Sequence, residues 1–156
     1  MFKILKNTFL VVILGIFISA CSTTAKKAGK TAGDVYTGTD TVKYLATGVA
    51  DRVFFATNST GLTSAAKTTL TKQAGYIKSS KISVVIEGHA DERGTREYNL
   101  ALGERRANAA RDYLMAKGVA KSSIKVISYG KERPANTDSS KLAWSQNRRS
   151  VTVKAK

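Results

Sequence analysis

The sequence predicts an α+β domain, a two-layer sandwich in which a mixed four-stranded sheet carries its helices on one face. Three observations predict it. Short β-branched or alternating runs recur between residues 52 and 154. Two of the gaps between those runs carry apolar residues at helical spacing. The resulting order is β-α-β-α-β-β, for which one layer of helices on one sheet face suits a chain of residues 50–156. That length holds its own core without disulfides.

Arg52–Ala56 (Arg-Val-Phe-Phe-Ala) reads as the first strand, and Thr57-Asn58-Ser59-Thr60-Gly61 as a polar loop. Leu62, Ala66, Leu70, Ala74 and Ile77 recur at helical spacing, which places an amphipathic helix over Thr63–Lys78. Lys81–Glu87 alternates, with Ile82, Val84 and Ile86 on one side of a second strand. Leu100, Ala107, Ala110 and Leu114 mark one face of a longer helix that stops at Lys117-Gly118, a glycine cap. Ile124–Tyr129 is a third strand, and Tyr129–Ser140 a loop around Pro134, the only proline. A short helix over Leu142–Asn147 and a strand over Arg149–Lys154 close the domain.

Ahead of this domain the chain changes character. Lys3 and Lys6 precede an uninterrupted apolar run, Phe9–Ile18, then the small residues Ser19-Ala20 and the only cysteine, Cys21. A basic start, a short apolar stretch and a small-residue cleavage site form a secretory signal peptide over residues 1–20. The run is short for a spanning helix, which needs about 20 apolar residues. Ile18-Ser19-Ala20-Cys21 also resembles the lipobox of bacterial lipoproteins, and that resemblance implies lipidation of Cys21 and cleavage before it. Residues 21–49, rich in Thr, Ala, Gly and Lys and without a sustained apolar period, read as a lipidated flexible tether.

The formal charge is +15, and removal of residues 1–20 leaves +13. Such an excess suits nucleic acid, an anionic wall polymer or anionic lipid. A secretory signal disfavours nucleic acid, and with 12 aromatic residues no nucleic-acid recognition motif is present. A single cysteine excludes an intramolecular disulfide.

The chemistry concentrates in Glu87–Ala107, which runs from the second strand into the second helix. Strand C-termini and helix N-termini are where open sheets bind ligands. Asn99, Gly103 and Arg106 share a helix face at the margin of the apolar stripe, where Gly103 leaves space for something to approach. His89 is the only histidine, so zinc ligation lacks a second imidazole, and no Gly-x-Ser-x-Gly turn accompanies it. The residues favour a structural, hydrogen-bonded histidine at a strand end.

Gly-His-Ala-Asp-Glu-Arg-Gly-x-x-Glu-Tyr-Asn-x-x-Leu-Gly-Glu-Arg-Arg-Ala (residues 88–107) resembles the OmpA-like peptidoglycan-binding domain. Gly118-Val119, Ser128–Pro134 and Asn147–Val151 follow the same pattern in the same order. The resemblance implies no enzymatic activity and no cofactor or metal. It implies a ligand, the peptide stem of peptidoglycan, gripped at meso-diaminopimelate. By the resemblance Arg106 takes the carboxylate of that residue and Asp91 its ammonium. Asn99 is a polar contact, Asn58 lines the same pocket, and Arg148 lies near the site or braces it. Asp91 and Arg106 are expected to be solvent-accessible around a groove. The further implications are an outer-membrane lipoprotein with its domain in the periplasm, and TolB and other Tol proteins as partners. They include a part in envelope integrity and in outer-membrane constriction at division. Two alternatives are a lipid-anchored wall hydrolase and a basic nucleic-acid-binding domain.

Overall fold

The computed structural model of the chain describes residues 31–32 and 34–156. Cys21, the signal segment and the first part of the expected tether lie outside the described residues.

The main sheet has four strands in the order β5-β8-β6-β7. They are β5 (Arg52–Phe54), β6 (Val84–His89), β7 (Ile124–Gly130) and β8 (Arg149–Lys154). β6 and β7 run parallel, whereas β8 is antiparallel to both β5 and β6. The sheet is therefore mixed, as the sequence predicts. Helices α1 (Ser64–Ser80) and α2 (Arg96–Ala116) pack against it, and α3 (Lys141–Asn147) leads into β8.

The alternation read in the second strand is the alternation of burial: Val84 and Ile86 point into the core, where they meet Ala66, Leu70, Ala74 and Ile77 of α1. Thr63 caps α1, accepting from the Ala66 N–H. Thr95 caps α2 in the same way, accepting from the Tyr98 N–H. At the far end of α2, Gly118 has φ +86°. Its N–H donates to Met115, and the Val119 N–H donates to Leu114, the paired bonds of a Schellman ending.

On α2 the buried stripe is Leu102, Ala107, Ala110 and Leu114, together with the polar Asn99 and Arg106. Leu100, expected on that face, is exposed instead. The backbone at Leu100 packs on the end of β7, where its carbonyl accepts from the Ser128 hydroxyl, and its side chain lines an open hollow with Ser128–Glu132. Gly103 lies against strand rather than ligand. A Cβ there would stand 2.4 Å from the Ser128 Oγ and 2.9 Å from the Gly88 carbonyl. The glycine permits helix and strand to touch.

Residues 34–49, expected to be flexible tether, are packed on the domain. Two small hairpins form, β1 (Thr31–Ala32) with β2 (Val35–Tyr36), and β3 (Tyr44–Ala46) with β4 (Val49–Ala50). Tyr36 is buried edge-on against Phe54, ring centroids 4.7 Å apart, and Leu45 joins the core. Gln146 donates to the Asp40 carboxylate at 3.1 Å. Strands of two or three residues are too short to show a period, and what buries Tyr36 is a distant ring. Among the described residues no helix is long and apolar enough to cross a membrane.

Candidate functional site

Two loops leave the same end of the sheet, one after β5 (residues 55–63) and one after β6 (residues 90–95), and the first turns of α2 stand between them. Their side chains enclose a pocket of about 330 Å³ whose lining includes Asn58, Asp91, Arg93, Tyr98, Asn99 and Arg106. Four of the five residues singled out from the sequence thus share one hollow. The fifth, Arg148, lies behind it.

Arg106 is fully buried, 0% exposed, contrary to the expectation of a solvated groove residue. Its Nη1 donates to the His89 carbonyl (2.9 Å), its Nη2 to Ala56 (3.1 Å) and its Nε to Ser59 (3.0 Å). One side chain therefore ties both loops to the helix. Buried carbonyls need donors, and a guanidinium supplies several at fixed angles. Burial, and then the neighbouring charge of Arg148, lower its pKa to about 10. It remains a cation at neutral pH, with no carboxylate in contact, and so retains attraction for an anion.

Asp91 is also buried, at 6% exposed. Arg93 grips it as a fork, Nε to Oδ1 at 3.0 Å and Nη2 to Oδ2 at 2.7 Å, and the Arg93 N–H adds a bond to Oδ1. Arg148 Nη1 approaches Oδ2 at 3.3 Å. Burial pushes the Asp91 carboxyl up, but the hydrogen bonds and charge of Arg93 and the bond from Arg148 outweigh it, so it titrates below the usual carboxylate range. Arg93 was not singled out from the sequence. Its side chain is 42% exposed and stacks over Trp144, 4.3 Å from the ring centroid.

Asn99 is buried and donates to the Arg93 carbonyl at 2.7 Å, which holds the β6–α2 loop closed. Asn58 is exposed, with φ +49°, and its side-chain oxygen accepts from the Tyr98 hydroxyl. Asparagine tolerates that left-handed backbone better than most residues. Arg148 bonds the Phe55 carbonyl (3.0 Å), the Asp91 carboxylate and both the carbonyl and the carboxylate of Asp34. It braces the floor of the site.

His89 sits at the end of β6, as expected, and is buried against Tyr129. Neither ring nitrogen makes a hydrogen bond of good geometry among the described residues; the ring keeps a contact with the Arg133 backbone, and the Glu87 carboxylate stands 3.7 Å away. Burial, then the charges of Arg149, Arg52 and Arg133, push its pKa down to about 3, so the ring is neutral. Its backbone serves the site, through the carbonyl that Arg106 binds. Among the described residues no three His, Cys, Asp or Glu side chains cluster as metal ligands.

The pocket thus pairs one buried carboxylate, Asp91, with buried and half-exposed guanidinium groups. Chemically it suits a small group carrying both charges. Residues 54–148 match the OmpA family. The peptidoglycan-associated lipoprotein of Mesorhizobium japonicum is 58% identical over 106 residues, which cover 67% of this chain and 63% of that protein. That of Rhizobium meliloti is 55% identical over 106 residues, 67% of this chain and 60% of that protein. The chain thus matches less than two thirds of the length of these relatives. The crystal structure of the peptidoglycan-associated lipoprotein from Burkholderia pseudomallei superposes with a TM-score of 0.65 at 38% identity, covering 67% of this chain and 90% of that one.

Proposed function

Because the chain belongs to the OmpA family, we propose that it is a non-catalytic peptidoglycan-binding lipoprotein that anchors the outer membrane to the cell wall. The observation that carries this reading is the pocket in which Asp91 and Arg106 meet between the two loops.

The ligand we assign to it is the meso-diaminopimelate of the peptide stem, whose side-chain end carries a carboxylate and an ammonium. The carboxylate is directed to the cationic side of the pocket, Arg106 with Arg93. The ammonium is directed to Asp91. Arg93 occupies Asp91 in the unliganded protein, and its exposed, unbranched stem lets it yield that carboxylate and turn to the ligand. Asn58 and Asn99 set the mouth, and Arg148 keeps the Asp91 carboxylate oriented.

Attachment to the membrane is assigned to a lipid on Cys21. Confinement at the membrane raises the effective concentration for a weak wall contact. TolB and the other Tol proteins are the partners we assign through the family, with a role in envelope integrity and division.

The test is sedimentation of the protein with purified sacculi. Binding is expected, with release by free diaminopimelate and loss in Asp91→Asn. Sacculi binding untouched by both would end the reading. Labelling with a palmitate analogue, absent in Cys21→Ala, tests the anchor separately.

A further inference from the structure

The cations of this domain gather at both ends of the main sheet, with lysines prevailing at one of them. The guanidinium groups of Arg93, Arg106 and Arg148 gather where β6 ends. At the opposite end, where β6 begins, the register sets Val84 beside Ile124 of β7 and Lys154 of β8. Helix α1 stops there, capped by Lys81, and α2 stops at Lys117. The Lys78 Nζ donates to the Lys117 carbonyl at 2.9 Å and ties the two helix ends together. A single 3-10 turn carrying Lys121 leads into β7, whose second residue is Lys125. Lys78, Lys81, Lys117, Lys121, Lys125 and Lys154 are all exposed.

Acids are scarce at this end among the described residues. None occurs in α1, the 3-10 turn, β7 or β8. In the last two turns of α2 there is one, Asp112, and Arg111 binds it at 2.8 Å. Helix C-termini favour cations, which accounts for Lys78, Lys81 and Lys117. It does not account for Lys121, Lys125 and Lys154, which flank strand ends.

We propose that this lysine pole is a docking surface for an anionic phospholipid membrane. The cations come from separate elements and spread over a blunt end, so they match a broad negative surface rather than a single ligand. Lysine supplies compact point charges on flexible stems, which suit mobile head groups, whereas arginine forks suit fixed carboxylates and phosphates. The ammonium nitrogens of Lys117 and Lys154 stand over the rings of Tyr113 and Tyr76, each 5.4 Å from the ring centroid, so these ring faces are occupied and offer no stacking platform for nucleotide bases. β6 is six residues long, about 20 Å at roughly 3.3 Å per residue. The pole and the ligand pocket lie at its two ends and can be engaged together. The inference stands independently of what the pocket binds.

The experiment is flotation of the full chain with vesicles of phosphatidylcholine alone or with phosphatidylglycerol. Its variants are a pole quadruple (Lys117→Gln, Lys121→Gln, Lys125→Gln, Lys154→Gln) and a control triple in the N-terminal segment (Lys26→Gln, Lys27→Gln, Lys30→Gln). Each lysine near an anionic surface contributes about fivefold, so the quadruple is expected to lower partition onto phosphatidylglycerol vesicles by about 600-fold. Binding to pure phosphatidylcholine and the melting temperature stay unchanged, and added salt removes the difference. The proposal is overturned if the quadruple keeps the wild-type preference for phosphatidylglycerol. It is equally overturned if the triple alone abolishes that preference, or if the quadruple loses only binding to a single-stranded oligonucleotide.

Discussion

Arg93 closes over Asp91 as a two-pronged clamp, 3.0 Å and 2.7 Å long, while Arg148 holds the same carboxylate from beneath at 3.3 Å. The aspartate therefore stays ionised at low pH, and its depressed pKa depends chiefly on Arg93 once burial is overcome.

The first prediction follows from that dependence. On the proposed reading sacculi binding uses ionised Asp91, so it is expected to persist above the depressed pKa and to be lost as pH falls through it. In Arg93→Ala the carboxyl titrates higher, so the acid limb of binding moves to higher pH. Sacculi sedimentation across a pH series reads the shift. The half-exposed pair contributes about 1 kcal/mol or less to folding, so melting should change little.

Arg106→Ala is expected to weaken the fold as well as the binding. It strips donors from three carbonyls, those of Ala56, Ser59 and His89. Unsatisfied buried acceptors cost about 1–3 kcal/mol each, so a loss of at least ~3 kcal/mol in urea denaturation is expected. Arg105→Ala, exposed on the next position of the helix, should melt and bind nearly as wild type. An Arg106→Ala protein as stable as wild type would contradict the loop-tying role.

Acid stability is tied to His89. Its folded pKa of about 3 lies below the ordinary 6.5, so its contribution is complete above pH 6.5 and disappears as pH falls toward 3. By linkage that is about 2 kcal/mol lost by pH 5. His89→Leu should flatten this part of the profile, measured as denaturation midpoints at neutral pH and near pH 5.

Close contact between α2 and β6 makes both glycines sensitive. A Cβ on Gly88 would stand 1.8 Å from the Gly103 carbonyl, whereas one on Gly103 meets first the Ser128 Oγ. Gly88→Ala should therefore destabilise more than Gly103→Ala, which overpacking places at about 1–3 kcal/mol. Ser128→Ala should restore part of the Gly103→Ala loss and none of the Gly88→Ala loss, as thermal melts will show.

Tyr36→Ala should cost about 3–5 kcal/mol, as for other large aromatic truncations in a core. Retention of wild-type stability would return residues 34–49 to the role of a loose linker.

Much of the architecture was legible because burial imposes periods. Ala66, Leu70, Ala74 and Ile77 recur at helical spacing, and Val84 and Ile86 alternate, since each faces one core. Gly118 was legible as a cap because its positive φ excludes most other residues. Asn58, Asp91, Asn99 and Arg106 were brought together by family resemblance, and the structure sets them around one pocket. What escaped was set by partners distant in sequence. No local pattern foretells that Phe54 buries Tyr36, or that three carbonyls draw Arg106 inside. Gly103 was misread because a glycine vacates space equally for a ligand and for a strand. Arg93 was passed over because a charged side chain beside two others gives no local sign of which carboxylate it binds.

The tie between Asp34 and Arg148 has a mechanical meaning. Asp34 stands where the chain enters the fold, and both its carbonyl and its carboxylate accept from Arg148. The same guanidinium reaches Asp91. Tension applied through the preceding residues is thus borne first by a bond one side chain away from the pocket. Load arriving at Asp34 is thus passed to the arginine that also holds Asp91, and the Phe55 carbonyl keeps that arginine in place.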